Sequence, residues 1–128
     1  MIVLLLFACK PTPDDCSLSS TVPRFSPDCD TAALYRYPGE SRLIVPGTQE
    51  GTLIAWLPEE LDTSEYGGTS GNPLDVSLEL GDAQTWATDR TTTLTFASLG
   101  HDEAELRLHA DFSEGVVSGP LAVPVTWE

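Results

Sequence analysis

The chain has 128 residues, enough for one domain, and 41% of them are hydrophobic, so it can form a packed core. It carries 20 acidic and 6 basic residues, which gives a formal net charge of −14. This balance excludes nucleic acids and anionic lipid surfaces as partners, because both are bound through clustered lysine and arginine.

An apolar segment at the start of the chain predicts an export signal. Residues 2–7 read Ile-Val-Leu-Leu-Leu-Phe and are followed by Ala8 and Cys9. The run is too short to cross a bilayer as a finished helix, which takes about 20 residues. It fits the apolar part of a signal peptide that is cut after a small residue. The alternative is a buried N-terminal strand in which Cys9 occurs by chance.

The residues Leu6-Phe7-Ala8-Cys9 resemble the lipobox of bacterial lipoproteins. The resemblance implies that the Cys9 sulfur carries a diacylglyceryl group and that the chain is cut just before Cys9. Residues 1–8 would then be the remnant of a signal peptide whose true start lies upstream of Met1. The acyl chains would hold the protein in the lipid bilayer of the cell envelope. Lys10 is not the aspartate that retains lipoproteins in the inner membrane of enteric bacteria, which favours the outer membrane of a Gram-negative cell.

The segment over residues 9–32 predicts a flexible tether, since its prolines and serines cannot bury enough apolar surface to fold alone. With Cys9 lipidated, two cysteines remain, and an exported setting permits a disulfide between Cys16 and Cys29. Closing a loop of this length would stabilise the fold by about 3 kcal/mol. The alternative of two free thiols that bind zinc lacks a nearby histidine and a C-x-x-C spacing.

From residue 33 onward the apolar side chains alternate with polar ones, which predicts β-strands. The candidate strands are 34–37, 42–45, 52–57, 74–80, 85–87, 92–96, 104–112 and 116–127. The last strand contains Pro120 and Pro124, which donate no ladder hydrogen bond, so we expect it at a sheet edge or bulged.

Two segments interrupt the strand pattern. Residues 57–61, Leu-Pro-Glu-Glu-Leu, predict one short helical turn, because proline suits the first helical position. Residues 67–73 are rich in glycine and predict a loop. The whole pattern predicts an all-β domain over residues 33–128, an antiparallel β-sandwich or partly open barrel of about seven to eight short strands.

The C-terminal third also resembles a family. The segments Thr91–Phe96, Ala104–Phe112 and Val116–Pro124 are similar to the C-terminal part of small uncharacterised lipoproteins of myxobacteria. The resemblance implies the same membrane address and a β-fold, and it carries no activity.

The sequence His101-Asp102-Glu103 places an imidazole beside two carboxylates. Such a group can act as a general base or a metal ligand, and the alternative is a solvated hairpin turn. His109 lies on the polar side of its strand, where we expect a cross-strand partner instead of a ligand. Only His101 and the neighbouring carboxylates favour a hydrolase, since no Gly-x-Ser-x-Gly motif occurs.

Two acidic clusters could hold Ca²⁺ weakly. They are Asp28-Cys29-Asp30 and Glu59-Glu60-x-Asp62. The alternative for both is a negative surface that keeps the protein soluble. No EF-hand loop occurs.

Aromatic side chains provide the remaining candidates. We expect Trp56 and Trp127 in the core, because they lie in strongly apolar strands. Trp86 and Tyr66 have polar neighbours and are expected to be exposed, where aromatic rings can stack on sugars. The side chains predicted to face a ligand are Tyr66, Trp86, His101, Asp102 and Glu103.

The sequence therefore predicts a membrane-anchored cell-envelope lipoprotein that acts as a non-enzymatic binding or structural module. Its partners would be the bilayer, through acylated Cys9, and another envelope protein. The alternative is a glycan- or Ca²⁺-assisted binding domain. We expect no catalytic residue, no cofactor and no resident metal.

Overall fold

The computed structural model describes residues 17–128; Cys9, Cys16 and the predicted signal segment lie outside this range. Within it the chain forms β1 (Ser19–Ser20), β2 (Ala33–Tyr37), β3 (Glu40–Pro46), β4 (Thr52–Pro58), β5 (Glu65–Gly67), β6 (Asp75–Leu80), β7 (Ala83–Trp86), β8 (Thr93–Leu99), β9 (Glu103–Phe112) and β10 (Gly115–Trp127). One 3₁₀ turn, Cys29–Thr31, lies between β1 and β2. None of the described helical residues forms a segment long and apolar enough to span a bilayer.

The strands form one sheet that curls into an open half-barrel. Its order is β5-β8-β9-β10-β2-β3-β4-β6-β7, and β1 pairs with β10 beside this path. The predicted all-β fold, with its partly open barrel, is confirmed. The strands outnumber the expected seven to eight, because β1 and β5 have only 2 and 3 residues and are too short to show alternation.

The expectation of a purely antiparallel sheet misses one pairing. β10 runs parallel to β2, with Val125 opposite Leu34 and Trp127 opposite Arg36. The antiparallel ladder between β9 and β10 ends at Pro124, so the last residues of β10 extend beyond β9. This overhang is the part of β10 that pairs with β2.

The core lies on the inner face of the curled sheet. Alternate residues of each long strand point inward and form a single buried cluster. Its fully buried side chains include Leu34, Leu43, Leu53, Phe96 and Leu108. Because the sheet curls, inward side chains from both halves meet in this one cluster.

The segment before β2 packs against the sheet and is not a tether where the structure describes it. Leu18, Val22 and Phe25 are buried in the core. The Ser17 N–H donates to the Pro120 carbonyl at 2.8 Å, and the Thr21 N–H donates to the Val116 carbonyl at 2.9 Å. The expected tether over residues 9–32 is therefore wrong for residues 17–32, whose apolar side chains are too few to form a core alone but complete the core of the sheet.

The proline-rich last strand is central in the sheet, not at its edge. β10 pairs with β9 on one side and with β1 and β2 on the other. In the part of β10 between its pairings with β1 and β2, the Ser17 N–H donates to the Pro120 carbonyl. The backbone N and C=O of Pro120 therefore point away from β9. The proline ring therefore removes no hydrogen bond from the β9 ladder.

The helical turn also lies elsewhere than expected. Leu57 and Pro58 end β4, and the residues after them form a bend. The 3₁₀ turn at Cys29–Thr31 is capped by Asp28, whose side chain accepts from the Asp30 N–H at 3.1 Å.

Phe25 tests whether residues 17–32 belong to the folded domain. Phe25→Ala removes a side chain that is 3% exposed, so we expect the free energy of unfolding to fall by about 3–5 kcal/mol. The neighbouring control Arg24→Ala removes an exposed ion pair with Glu50 and should cost less than about 1 kcal/mol. Urea denaturation of both variants measures the difference, and equal stabilities would contradict the packing described above.

Candidate functional site

Four of five neighbouring strands carry large apolar side chains on their outer face; the exception is β6. In β2, β3, β4 and β6 core residues occupy inward positions, so the alternate residues lie on the outer face, and the register with β6 places Trp86 of β7 on that same face. The register places these outward residues side by side. We call this surface the aromatic face, and its members are Tyr35, Tyr37, Ile44, Ile54, Trp56 and Trp86.

The register shows how the aromatic face is continuous. Ile44 lies opposite Ile54 across β3 and β4, and Ile54 lies opposite Ser77 of β6. Ser77 in turn lies opposite Trp86 of β7. One row of outward side chains therefore crosses four strands and ends at the indole of Trp86.

The aromatic rings of this face support one another. The rings of Trp56 and Trp86 are 5.4 Å apart between centroids and tilted by 33°. Those of Tyr35 and Tyr37 stack at 6.3 Å. The Arg42 guanidinium lies 5.1 Å from the centre of the Tyr37 ring. Such contacts hold large rings in fixed positions, so little conformational entropy remains to be lost when a ligand covers them.

Trp86 is the most exposed member of the face, with 54% of its surface accessible, while the other members are half-buried. Ser77 lies between Ile54 and Trp86 on the same face yet is fully buried. Its hydroxyl has no hydrogen-bond partner among the described residues. The face is therefore densely packed where the two tryptophans meet.

The outer face of the other half of the sheet is polar. The outward residues of β9 are exposed and mostly charged: Glu103, Glu105, Arg107, His109 and Asp111. The His109 Nδ1 lies 3.2 Å from the hydroxyl of Ser118, its uncharged cross-strand neighbour on β10. The charged outer surface of β9 thus contrasts with the aromatic face.

A second cluster surrounds His101 at the turn between β8 and β9. The His101 Nδ1 lies 2.9 Å from a carboxylate oxygen of Asp102, and both side chains are largely exposed. The imidazole stacks on Trp127 at 5.1 Å, and the Trp127 indole N–H donates to the His101 carbonyl at 2.8 Å. The Arg36 guanidinium lies 4.6 Å from the centre of the same indole ring.

This second cluster borders a shallow cleft of about 320 Å³ that Arg36, Glu59 and Trp127 help to line. Within residues 17–128, His101 makes no hydrogen bond to a hydroxyl or thiol. A catalytic histidine can activate a neighbouring hydroxyl or thiol, or act as a general base on water. The structure shows an exposed turn whose imidazole stacks on an indole ring, and a catalytic role for His101 stays a prediction.

Tyr66 was predicted to face a ligand, and this is wrong. It is 4% exposed and packs edge-on against Phe96 at 6.2 Å. Its phenol oxygen accepts from the Asp62 N–H at 2.9 Å, and burial raises the pKa of the phenol. The polar neighbours that suggested exposure are the residues that satisfy its hydroxyl.

The other four residues predicted to face a ligand are exposed but lie in two separate places. Trp86, His101, Asp102 and Glu103 are all exposed, and their role as ligand-facing residues stays a prediction. No hydrogen bond or ring contact among the described residues joins Trp86 to the other three. The expectation that Trp56 and Trp127 lie in the core is wrong: Trp56 is half-buried on the outer face, and Trp127 is 50% exposed. It lies at the end of β10, where the inner face opens to solvent.

One aspartate of each acidic cluster accepts a hydrogen bond within its own turn. Asp28 caps the 3₁₀ turn, and Asp62 accepts from the Ser64 N–H at 2.8 Å, which lowers the pKa of that carboxyl. In the described part of the chain, no group of three or more histidine, cysteine, aspartate or glutamate side chains is placed to hold a metal ion. Cys29 is disulfide-bonded, and since Cys9 and Cys16 lie outside the described residues, its pairing with Cys16 stays a prediction.

Sequence reasoning missed Ile44 and Ile54 as members of the aromatic face and placed Trp56 in the core. A signal for them exists, because β3 and β4 are apolar at consecutive positions, as in Leu43-Ile44-Val45 and Leu53-Ile54. In an antiparallel sheet with one solvent-exposed face, apolar and polar residues alternate along each strand instead.

Comparison with known proteins gives no match to a family model, a curated protein or a solved structure.

Proposed function

We propose that this protein is a non-enzymatic binding module and that the aromatic face is its binding surface. The observation that carries the proposal is the group of tryptophan, tyrosine and isoleucine side chains on the solvent side of β2, β3, β4 and β7, with Ser77 of β6 buried between Ile54 and Trp86. Soluble monomers rarely leave a large contiguous apolar surface uncovered unless it binds something. Tryptophan, tyrosine and arginine are also the residues that contribute most to protein–protein affinity.

The magnitudes favour the indole rings over the ion pairs as the source of affinity. A tryptophan buries up to about 250 Å², so covering the exposed half of Trp86 removes roughly 100 Å² from water. At about 25 cal/mol per Å², this is worth about 2.5 kcal/mol. A surface ion pair such as Arg42 with Glu40 contributes about 0–1 kcal/mol.

We infer from the sequence that the module is displayed on the cell envelope as a lipoprotein. The support is the lipobox-like Leu6-Phe7-Ala8-Cys9 and the resemblance of the C-terminal strands to myxobacterial lipoproteins. In this account Cys9 carries the acyl chains, and Cys16 is the partner of Cys29. Two or three acyl chains give lasting attachment, which a single chain does not.

A glycan-binding domain is the second candidate, and the exposed indole of Trp86 beside Trp56 favours it. A sugar ring stacks on the free face of an aromatic ring. The Tyr37 ring already carries Arg42 and Tyr35, which leaves the two tryptophans as the stacking positions. The Ca²⁺-assisted form of this candidate would have to use oxygen atoms other than those already engaged on Asp28 and Asp62.

The membrane address is tested by the intact mass of protein purified from membranes after expression with its native upstream region. We expect a chain that begins at Cys9, heavier by two or three acyl groups and lighter by two hydrogens for one disulfide. Cys9→Ser should leave the protein unlipidated and release it from the membrane fraction. An unmodified chain with three free thiols would contradict the address.

The binding surface is tested by photo-crosslinking in intact cell envelopes. A photoreactive phenylalanine at Tyr37 on the aromatic face should form a discrete adduct, whereas the same group at His109 on the polar face should not. Trp86→Ala should weaken the adduct by about tenfold or more, since losing a central indole costs about 2 kcal/mol.

The matched control for that experiment is Trp127→Ala, because Trp127 is equally exposed but lies outside the aromatic face. It should leave the adduct unchanged. Equal adducts from Tyr37 and His109, or equal losses in the two tryptophan variants, would contradict the assignment of the aromatic face.

A further inference from the structure

The aromatic face ends at a free edge of the sheet. β7 is the last strand in the order and pairs only with β6. The Ala87 N–H donates to the Val76 carbonyl at 2.8 Å, which makes those two residues a hydrogen-bonded pair. In an antiparallel ladder such pairs alternate, so the N–H and C=O groups of Trp86 and Gln84 point away from β6.

These outward groups are available. No described residue forms a backbone hydrogen bond to Gln84 or Trp86 on the far side of β7. Sheet edges are commonly blocked by lysine, proline or a bulge. The sequence of β7, Ala-Gln-Thr-Trp, contains none of these residues, and its register with β6 is regular.

The edge and the aromatic face form one surface. A strand that paired with β7 would place one residue opposite Trp86, with its side chain on the outer face beside the indole. The row of Ile54, Ser77 and Trp86 would then continue onto the added strand. Main-chain hydrogen bonds would supply affinity, and the indole would select an apolar side chain.

The negative charge of the chain indicates that the partner segment is basic. Outward residues of β6 next to the indoles are the acids Asp75 and Glu79, and Asp82 follows in the turn before β7. Arg42, the base on this face, is already paired with Glu40. A second copy of the chain would also carry a charge of −14, and like charges repel.

We propose that the ligand of this module is an extended, basic segment of a partner protein that adds as a strand to the free edge of β7 and packs an apolar side chain on Trp86. The proposal rests on the proposed binding function and specifies its partner. Lysine or arginine two residues before and after this apolar side chain would lie on the same outer face as Asp75 and Glu79 and would orient the segment.

The test uses the full chain and a ten-residue peptide that, as a strand, carries a central valine flanked by lysines on one face and threonines on the other. We expect the amide protons of Gln84 and Trp86 to exchange at least tenfold more slowly when the peptide is saturating. A matched peptide that is N-methylated at consecutive residues, so that both of its edges are blocked, keeps its charge and side chains but cannot pair as a strand. It should bind at least tenfold more weakly and give no protection.

A pair of protein variants provides a second measurement. Gln84→Pro places a ring on the outward side of β7 and should reduce peptide affinity by at least tenfold, whereas Gln84→Ala should not. If Gln84→Pro fails to fold, the peptide pair alone decides. Equal affinity of the two peptides, or no protection at Gln84 and Trp86, would overturn strand addition.

The same experiment separates this proposal from the proposed function. A cello-oligosaccharide that shifts the indole signals of Trp56 and Trp86 without protecting the amides would assign the face to glycans and overturn strand addition. A crosslinked adduct at Tyr37 without amide protection would also overturn it, and in both cases the aromatic face would remain a binding surface. Failure of the crosslink itself would count against the binding surface.

Discussion

The parallel pairing of β10 with β2 is the interaction on which the rest of the structure depends. β10 joins the polar half of the sheet, through β9, to the half that carries the aromatic face, through β2. The three pairs from Val125 to Trp127 are the whole of that link in the sheet order. Because the link is narrow, the curl of the sheet and the shared inner core hold the two halves in place.

Because the core lies inside the curled sheet, side chains on the outer face are not needed to form it. The two halves of the sheet differ on this outer face. β9 has charged residues outward, as expected for a wet face, whereas β3 and β4 have isoleucine and tryptophan outward. The outward rings contact one another, which stabilises the sheet, and in the proposed function they also form the binding surface. Its location beside the free edge of β7 connects side-chain and backbone recognition.

Much of the fold could be predicted from the sequence, because the period of two is strong in Leu74–Leu80 and Ala104–Phe112. The parts that could not be predicted depend on contacts distant in sequence. Leu18, Val22 and Phe25 are isolated apolar residues among polar ones, and only the curled sheet gives them a place to be buried. The prolines of β10 are tolerated because its second side is partly unpaired, which no local pattern reveals.

The candidate site was predictable only in part. The exposure of Trp86 follows from its polar neighbours, but the same reasoning fails for Tyr66, whose polar neighbour Asp62 bonds its buried hydroxyl. Trp56 and Trp127 lie in equally apolar strands, yet one contacts Trp86 and the other stacks on His101. Which face a tryptophan occupies is fixed by strand register, and register is not readable from one strand.

The three tryptophans give the most direct test of the central claim, that the aromatic face is the part of this molecule that binds. In the ¹⁵N-labelled protein each indole N–H gives its own signal, and the signals are followed during titration with detergent-solubilised cell envelope. We expect the Trp56 and Trp86 signals to shift or broaden together and the Trp127 signal to stay unchanged. A change at Trp127 alone, or equal changes at all three indoles, would contradict that claim.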